Sequence, residues 1–129
     1  MIGITMPKWN EKEFLKDAEG LDQYGFVSKF YHFIKGLDHF QIRFGEGSIG
    51  TFKIYAKNKC LVMGVYSDGR FWPYFKELSK TTELDYRTCL TKIQKIQKKA
   101  LANKEWFFVI VKNDEEYHSI KECIIQLTQ

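Results

Sequence analysis

Between residues 39 and 75, an alternation of apolar and polar residues limits the fold more than any other feature. His39–Phe44 and Thr51–Ala56 have an apolar residue at every second position, as half-buried β-strands do. Cys60–Tyr66 is apolar on both faces, which is typical of a strand inside a covered sheet. Arg70–Phe75 follows a Ser-Asp-Gly turn signal, and its Pro73 predicts an edge strand or a bulge. Four consecutive short strands predict an antiparallel meander.

Helical periodicity flanks these strands. Asn10 and Glu13 have the N-cap and N3 spacing that begins a helix. A second helix is predicted from Val27 to Gly36, with Gly36 closing it in the left-handed conformation. The remaining predicted elements are a long helix, a strand and a helix capped by Asp114, at 86–101, 106–111 and from 114 onward. The expected fold is one two-layer α+β domain over residues 1–129, in the order α-α-β-β-β-β-α-β-α.

Composition supports a single globular domain. The chain has 129 residues, of which 44% are hydrophobic and 28% charged, and such a chain buries enough surface for a core of its own. No apolar stretch approaches the ~20 residues that span a bilayer, and the N-terminus has no export signal, so we expect no membrane association and a cytoplasmic location. The three Cys and three His residues are isolated in sequence. We therefore expect no metal site and no cofactor.

The glycine-rich string Gly45-Glu46-Gly47-Ser48-Ile49-Gly50 has the spacing of a phosphate-binding motif. A dinucleotide fingerprint requires a helix after the last glycine, whereas a strand is predicted here. A protein-kinase loop does lie between antiparallel strands, but the following strand has no Lys and the kinase catalytic motifs are absent. We interpret the string as a hairpin connection whose glycines take positive φ. The alternative is a ligand loop in which Gly45, Gly47 and Gly50 approach a bound group.

Positive charge is concentrated in the middle of the chain. Residues 39–104 contain 13 Lys and Arg against 5 Asp and Glu, a net charge of +8, whereas the whole chain carries +4. One face of the predicted long helix is basic, with Arg87, Lys92, Lys95, Lys98 and Lys99. Together with Lys53 and Arg70 of the predicted sheet, this face could contact a phosphate backbone. The alternative is an ordinary solvated helix surface.

Aromatic residues are the third candidate feature. They are concentrated between Phe40 and Phe75 in larger number than one face of a small sheet can bury. Exposed rings beside Lys53 and Arg70 fit a platform on which bases stack, although packing in the core is the alternative explanation. A cluster of Phe71, Trp72 and Tyr74 would equally suit a protein contact surface.

No set of residues indicates a reaction. The order of helices and strands is comparable to that of restriction-endonuclease-like folds, yet neither Thr51–Ala56 nor Cys60–Tyr66 contains the carboxylates that bind catalytic metal ions. The first hypothesis is therefore a non-catalytic domain that binds nucleic acid through the basic helix and the adjacent sheet. The alternatives are a protein-interaction or regulatory module that uses exposed aromatic residues, and a small-ligand site at the glycine-rich hairpin.

Two segments also resemble a known family. Trp9-Asn10-Glu11-Lys12-Glu13-Phe14-Leu15 is similar to a W-T-E-E-E-F-L motif, and Arg43–Phe52 is similar to a G-x-G-x-x-x-G-S-F hairpin. Both motifs occur in a family of small prokaryotic α+β proteins of unknown function. The resemblance implies an α+β fold and supplies no catalytic residues.

Overall fold

The computed structural model describes residues 9–57, 60–74 and 108–126. Three helices and five strands lie in these ranges, and the predicted helix at 86–101 lies outside them. In chain order they are α1 (Glu11–Leu21), α2 (Phe26–Lys35), β1 (Phe40–Phe44), β2 (Thr51–Ala56), β3 (Leu61–Tyr66), β4 (Arg70–Pro73), β5 (Val109–Ile110) and α3 (Asp114–Gln126). None of the three described helices is long and apolar enough to cross a membrane.

The strands form one antiparallel sheet in the order β1-β2-β3-β4-β5, which confirms the predicted α+β meander. β3 is the middle strand of this order, and its four central residues Val62–Val65 are buried, as the unbroken apolar run predicts. The register between β2 and β3 shifts once, between Ile54 and Tyr55. The ladder on both sides of this irregularity places alternate residues on opposite faces of the sheet.

Pro73 does not mark an edge strand. β4 lies between β3 and β5, so the expectation of an edge is wrong. Tyr74 donates its backbone N–H to Val62 O over 2.8 Å, and successive residues of a strand alternate in the direction of their N–H groups. The nitrogen of Pro73 therefore faces away from β3. Since the described pairs of β4 with β5 are Arg70 and Phe71 with Ile110 and Val109, no described ladder bond requires an N–H from Pro73.

The helices pack on one face of the sheet through aromatic rings. Phe14 of α1 meets Phe52 of β2 edge to face, with ring centroids 5.1 Å apart. Phe30 of α2 meets Phe71 of β4 in a similar T-shaped arrangement at 5.3 Å, and Tyr31 meets Phe52 at 5.2 Å. Each such pair adds about 0.5–1.5 kcal/mol beyond the burial of its surface. The core is completed by α3, whose Ile120, Cys123 and Ile124 are buried against the same cluster.

Short polar residues cap the beginning of α1 and of α3. Asn10 is the N-cap of α1, as predicted, and its Oδ1 accepts a hydrogen bond of 2.8 Å from the Glu13 N–H. The prediction that Asp114 caps α3 is wrong by one residue, because Asn113 Oδ1 accepts the Glu116 N–H at 2.9 Å. A side chain that accepts from the N3 amide must stand three residues before it, which assigns the cap to Asn113.

The glycines with left-handed backbone are not the ones that the sequence predicts. Gly36 does follow α2, but with φ −76° it is right-handed, so its predicted left-handed conformation is wrong. Its N–H donates to His32 O, which extends the helical turn instead of reversing it. Among the described glycines, Gly25 before α2 and Gly69 in the turn after β3 have positive φ, at 79° and 104°. Gly69 confirms the predicted Ser-Asp-Gly turn.

The glycines of the β1–β2 connection, residues 45–50, differ in how much space surrounds them. Positive φ was expected for Gly45, Gly47 and Gly50, and this is wrong because none of them has it. A Cβ on Gly50 would lie 3.1 Å from Asp17 Oδ2, 3.1 Å from Ser67 Oγ and 3.2 Å from Phe14 Cδ1. A Cβ on Gly47 would lie 4.0 Å from its nearest neighbour. Of these two positions, only Gly50 is too crowded to accept a side chain easily.

Gly50→Ala should destabilise the protein by about 1–3 kcal/mol, the usual cost of an extra methyl group in a packed site. Asp17 and Ser67 cannot easily retreat, because they are hydrogen-bonded to each other at 2.6 Å. Gly47→Ala is the matched control and should change the free energy of unfolding by less than about 0.5 kcal/mol. Urea unfolding of both variants measures the difference, and equal losses would contradict the steric explanation.

Stability should also decline at alkaline pH through Tyr31. Burial, and then the nearby Glu11 carboxylate, raise the pKa of Tyr31 to about 12 from 10. A raised pKa contributes stability that is fully present below pH 10 and is lost as pH rises toward 12, because the unfolded chain then ionises first. Urea unfolding at pH 8, 10 and 11 should show a smaller decline for Tyr31→Phe than for the wild type. Tyr24→Phe, at an exposed tyrosine, should keep the wild-type decline.

Candidate nucleic-acid interface

The sheet face opposite α1 and α2 combines cationic and aromatic side chains. Phe52, Ile54 and Phe71 point toward the helices. Because side chains alternate along a strand, the residues before and after each of them in the chain point to the opposite face. We name it the cationic–aromatic face, and its members are Arg43, Lys53, Tyr55, Tyr66, Arg70, Trp72 and Tyr74. All of these side chains except the exposed Arg43 are half-buried. Phe108, just before β5, adjoins the face through Trp72, at 5.2 Å between ring centroids.

Guanidinium groups lie against the rings of this face. The Arg43 guanidinium carbon is 5.1 Å from the centre of the Tyr55 ring, and that of Arg70 is 4.4 Å from the centre of the Tyr66 ring. Contacts of this kind contribute about 0.5–1 kcal/mol where they are solvated. They also hold the cation and the ring in fixed relative positions. The face therefore presents ordered pairs of one cation and one ring.

Gly64 lies at the centre of the face. It pairs with Lys53 on one side and Trp72 on the other. A Cβ at Gly64 would be 3.8 Å from both Lys53 Cγ and Tyr74 Cε2, which is ordinary contact, so glycine here is not required by crowding. Burial, followed by the proximity of Tyr66 and Tyr55, raises the pKa of Tyr74. Its hydroxyl therefore keeps its proton well above neutral pH and remains a hydrogen-bond donor.

The cations of the face differ in whether they have an acidic partner. Arg70 Nε donates to both carboxylate oxygens of Asp68 over 3.0 Å, so much of its charge is neutralised locally. Within the described ranges, Arg43 and Lys53 form no ion pair. Among the described residues of the face, the cations without a carboxylate partner are therefore at its β1–β2 end.

A cleft of about 300 Å³ lies at the same end. It joins the glycine-rich connection to the cationic–aromatic face, and it is lined by Gly45, Glu46, Gly47, Ser48, Ile49, Thr51, Lys53 and Tyr66. Two of the glycines predicted as a ligand loop, Gly45 and Gly47, are thus brought together with Lys53. Gly50 is not among the lining residues and contacts Asp17 and Ser67 instead.

A carboxylate that sequence reasoning missed secures this connection. Asp17 Oδ2 accepts hydrogen bonds from Ser67 Oγ at 2.6 Å and from the Gly50 N–H at 3.2 Å. Trp9 Nε1 donates to Gly47 O at 2.7 Å. These partners are separated by 33 to 50 residues in the chain. No local pattern in the sequence could identify contacts between residues so far apart.

The expectation that Phe71 belongs to an exposed contact surface is wrong. Phe71 is 1% exposed and packs on Phe30 in the core. Adjacent strand residues point to opposite faces, so Phe71 cannot share a surface with Trp72, which is half-buried on the other face with Tyr74. Of the predicted basic residues, Lys53 and Arg70 are on the face. The others, Arg87, Lys92, Lys95, Lys98 and Lys99, lie outside the described residues.

The described side chains offer no metal centre. In residues 9–57, 60–74 and 108–126, no group of three His, Cys, Asp or Glu side chains could hold a metal ion. No protein-family model, curated protein or solved structure matches the chain. The similarity of Trp9–Leu15 and Arg43–Phe52 to a family of small prokaryotic proteins therefore remains a resemblance in sequence motifs.

The losses of stability in Phe71→Ala and Trp72→Ala should distinguish a core residue from a residue at the surface. Phe71→Ala should cost about 3–5 kcal/mol, as the loss of a buried aromatic ring does. Trp72→Ala should cost clearly less, since part of its ring is exposed and its buried indole N–H has no hydrogen-bond partner in the described structure. Chemical denaturation followed by circular dichroism measures both. An equal loss in the two variants would show that Trp72 is a core residue.

Proposed function

We propose that the protein binds single-stranded nucleic acid on the cationic–aromatic face. The observation that carries the proposal is the interleaving of charge and rings: Arg43 lies over Tyr55, Arg70 lies over Tyr66, and Lys53, which has no ion pair among the described residues, lies between them. Proteins that bind single strands combine cations that follow the phosphates with aromatic rings on which bases stack. Both kinds of group are present on one sheet face here.

A single strand suits this surface better than a duplex. The faces of the bases in a duplex are already stacked on one another, so an aromatic ring can reach them only when the strand is unpaired. Neighbouring β-strands lie about 4.8 Å apart, which places Tyr66 and Arg70 on adjacent strands as consecutive flat groups. No described helix projects from this face that could enter a major groove.

The energetics follow from the same groups. Each stacked base contributes about 1–3 kcal/mol, with little dependence on its identity. Arg43 and Lys53 together would neutralise two phosphates, which corresponds to a salt slope of about −1.4 for a single strand. Binding should therefore depend weakly on sequence and measurably on ionic strength.

Fluorescence anisotropy with a labelled single strand of mixed sequence tests the proposal. Affinity should fall at least about fivefold between 50 and 200 mM salt, and a duplex of the same sequence should bind more weakly. An absence of binding at 50 mM salt would contradict the proposal. The alternative of a protein contact through Trp72 and Tyr74 would then be favoured, because that function requires no affinity for phosphates.

Charge-matched variants show where binding occurs. The double variant Arg43→Gln, Lys53→Gln should weaken single-strand binding about tenfold or more at 50 mM salt. The control Lys12→Gln, Lys16→Gln removes the same charge from exposed positions of α1. This control should bind nearly as well as the wild type. Equal weakening in both doubles would mean that binding follows net charge and does not use the cationic–aromatic face.

A further inference from the structure

The hydrogen bonds of Trp9 orient the peptide groups of the β1–β2 connection. Its backbone N–H donates to Gly45 O over 3.3 Å, and its Nε1 donates to Gly47 O over 2.7 Å. No described peptide bond is cis, and in a trans peptide the N–H of the next residue points opposite to the carbonyl. The N–H groups of Glu46 and Ser48 therefore point away from Trp9.

These two amides point toward the cleft. Trp9 leads into α1, which packs on the helix side of the sheet, whereas the Lys53 and Tyr66 side chains that line the cleft are on the opposite face. Within the described structure, the N–H groups of Glu46 and Ser48 have no hydrogen-bond partner. The cleft is also lined by Ser48 and Lys53, whose side chains carry a hydroxyl and an ammonium group. Such a set of donors is suited to an anion.

We infer that this cleft binds the terminal phosphate of the strand that occupies the cationic–aromatic face, an inference that rests on the function proposed above. At about 300 Å³ the cleft is at the small end of ligand sites, large enough for a terminal nucleotide group. The glycine-rich connection borders the face at this end, so a strand whose phosphate enters the cleft ends there. Tyr66 lines both the cleft and the face, in a position to stack on the terminal base.

A terminal phosphate fits these donors better than an internal one. A phosphate monoester carries a charge of about −1.5 to −2 at neutral pH, because its second pKa is near 6, whereas an internal diester carries −1. The exposed Glu46 carboxylate also lines the cleft and opposes any anion there. Removal of the Glu46 charge should therefore strengthen the binding of a phosphate in the cleft, which provides a specific test.

The experiment compares one short single strand with a 5′-phosphate, a 3′-phosphate or hydroxyl ends, at 50 mM salt and pH 7.5. The wild type should bind one of the phosphorylated forms on the order of tenfold more tightly than the hydroxyl form, as expected for charge-assisted hydrogen bonds. The preference should shrink at pH 5.5, where the monoester loses its second charge. Lys53→Gln should abolish the preference.

Glu46→Gln should increase the affinity for the preferred phosphorylated strand on the order of threefold, with little effect on the hydroxyl form. Glu19→Gln removes the same charge from an exposed position on α1 and is the control. If both variants strengthen binding equally, the effect is one of net charge and the inference is overturned.

Failure of the inference and failure of the proposed function can be distinguished. Equal affinity of the wild type for all three strands overturns the cleft inference and leaves single-strand binding intact. If no strand binds, the proposed function fails, and the cleft is then tested with a nucleoside monophosphate against the unphosphorylated nucleoside in a thermal-shift assay. A stabilisation specific to the monophosphate and lost in Lys53→Gln supports a phosphate site, and its absence overturns it.

Discussion

One carboxylate oxygen determines how the functional end of the molecule is arranged. Asp17 Oδ2, on α1, accepts from both the Gly50 N–H and the Ser67 hydroxyl, which stand at adjacent ends of β2 and β3. The Ser67 N–H also donates to Gly50 O at 2.8 Å, so backbone pairing between β2 and β3 extends one residue beyond the strand ends. Hydrogen bonds to an ionised acceptor contribute about 1.5–3 kcal/mol, more than neutral ones. They hold the β1–β2 connection, part of which lines the cleft, against α1.

The two faces of the sheet follow from a single alternation of residues. Phe52 and Phe71 point to the helices and are fully buried, whereas Lys53 and Trp72, the next residues in the chain, point to the opposite face. A shift of one residue in register would exchange these sets. The core packing of Phe14, Phe30 and Phe52 therefore also keeps the cations and rings of the cationic–aromatic face in their positions.

Local patterns predicted much of the fold. The strands β1, β2 and β3, the turn at Gly69 and the Asn10 cap all follow from a period of two residues, from turn signals and from short-range capping. Some errors were local, namely the one-residue offset of the α3 cap and the backbone conformation of Gly36, whereas the error at Pro73 concerns a distant partner. Pro73 indicated an edge because β5, which completes the neighbourhood of β4, comes more than thirty residues later in the chain.

The sequence by itself determined that residues 40–73 would form an antiparallel meander, because strand alternation and turn chemistry act over a few residues. It also identified Gly45, Gly47, Lys53 and Arg70 as chemically notable. Only the tertiary structure decided that Gly45, Gly47 and Lys53 line one cleft, that Gly50 has no room for a side chain, and that Phe71 belongs to the core. The physical reason is that packing, available space and the direction of a hydrogen bond depend on neighbours brought together from distant parts of the chain.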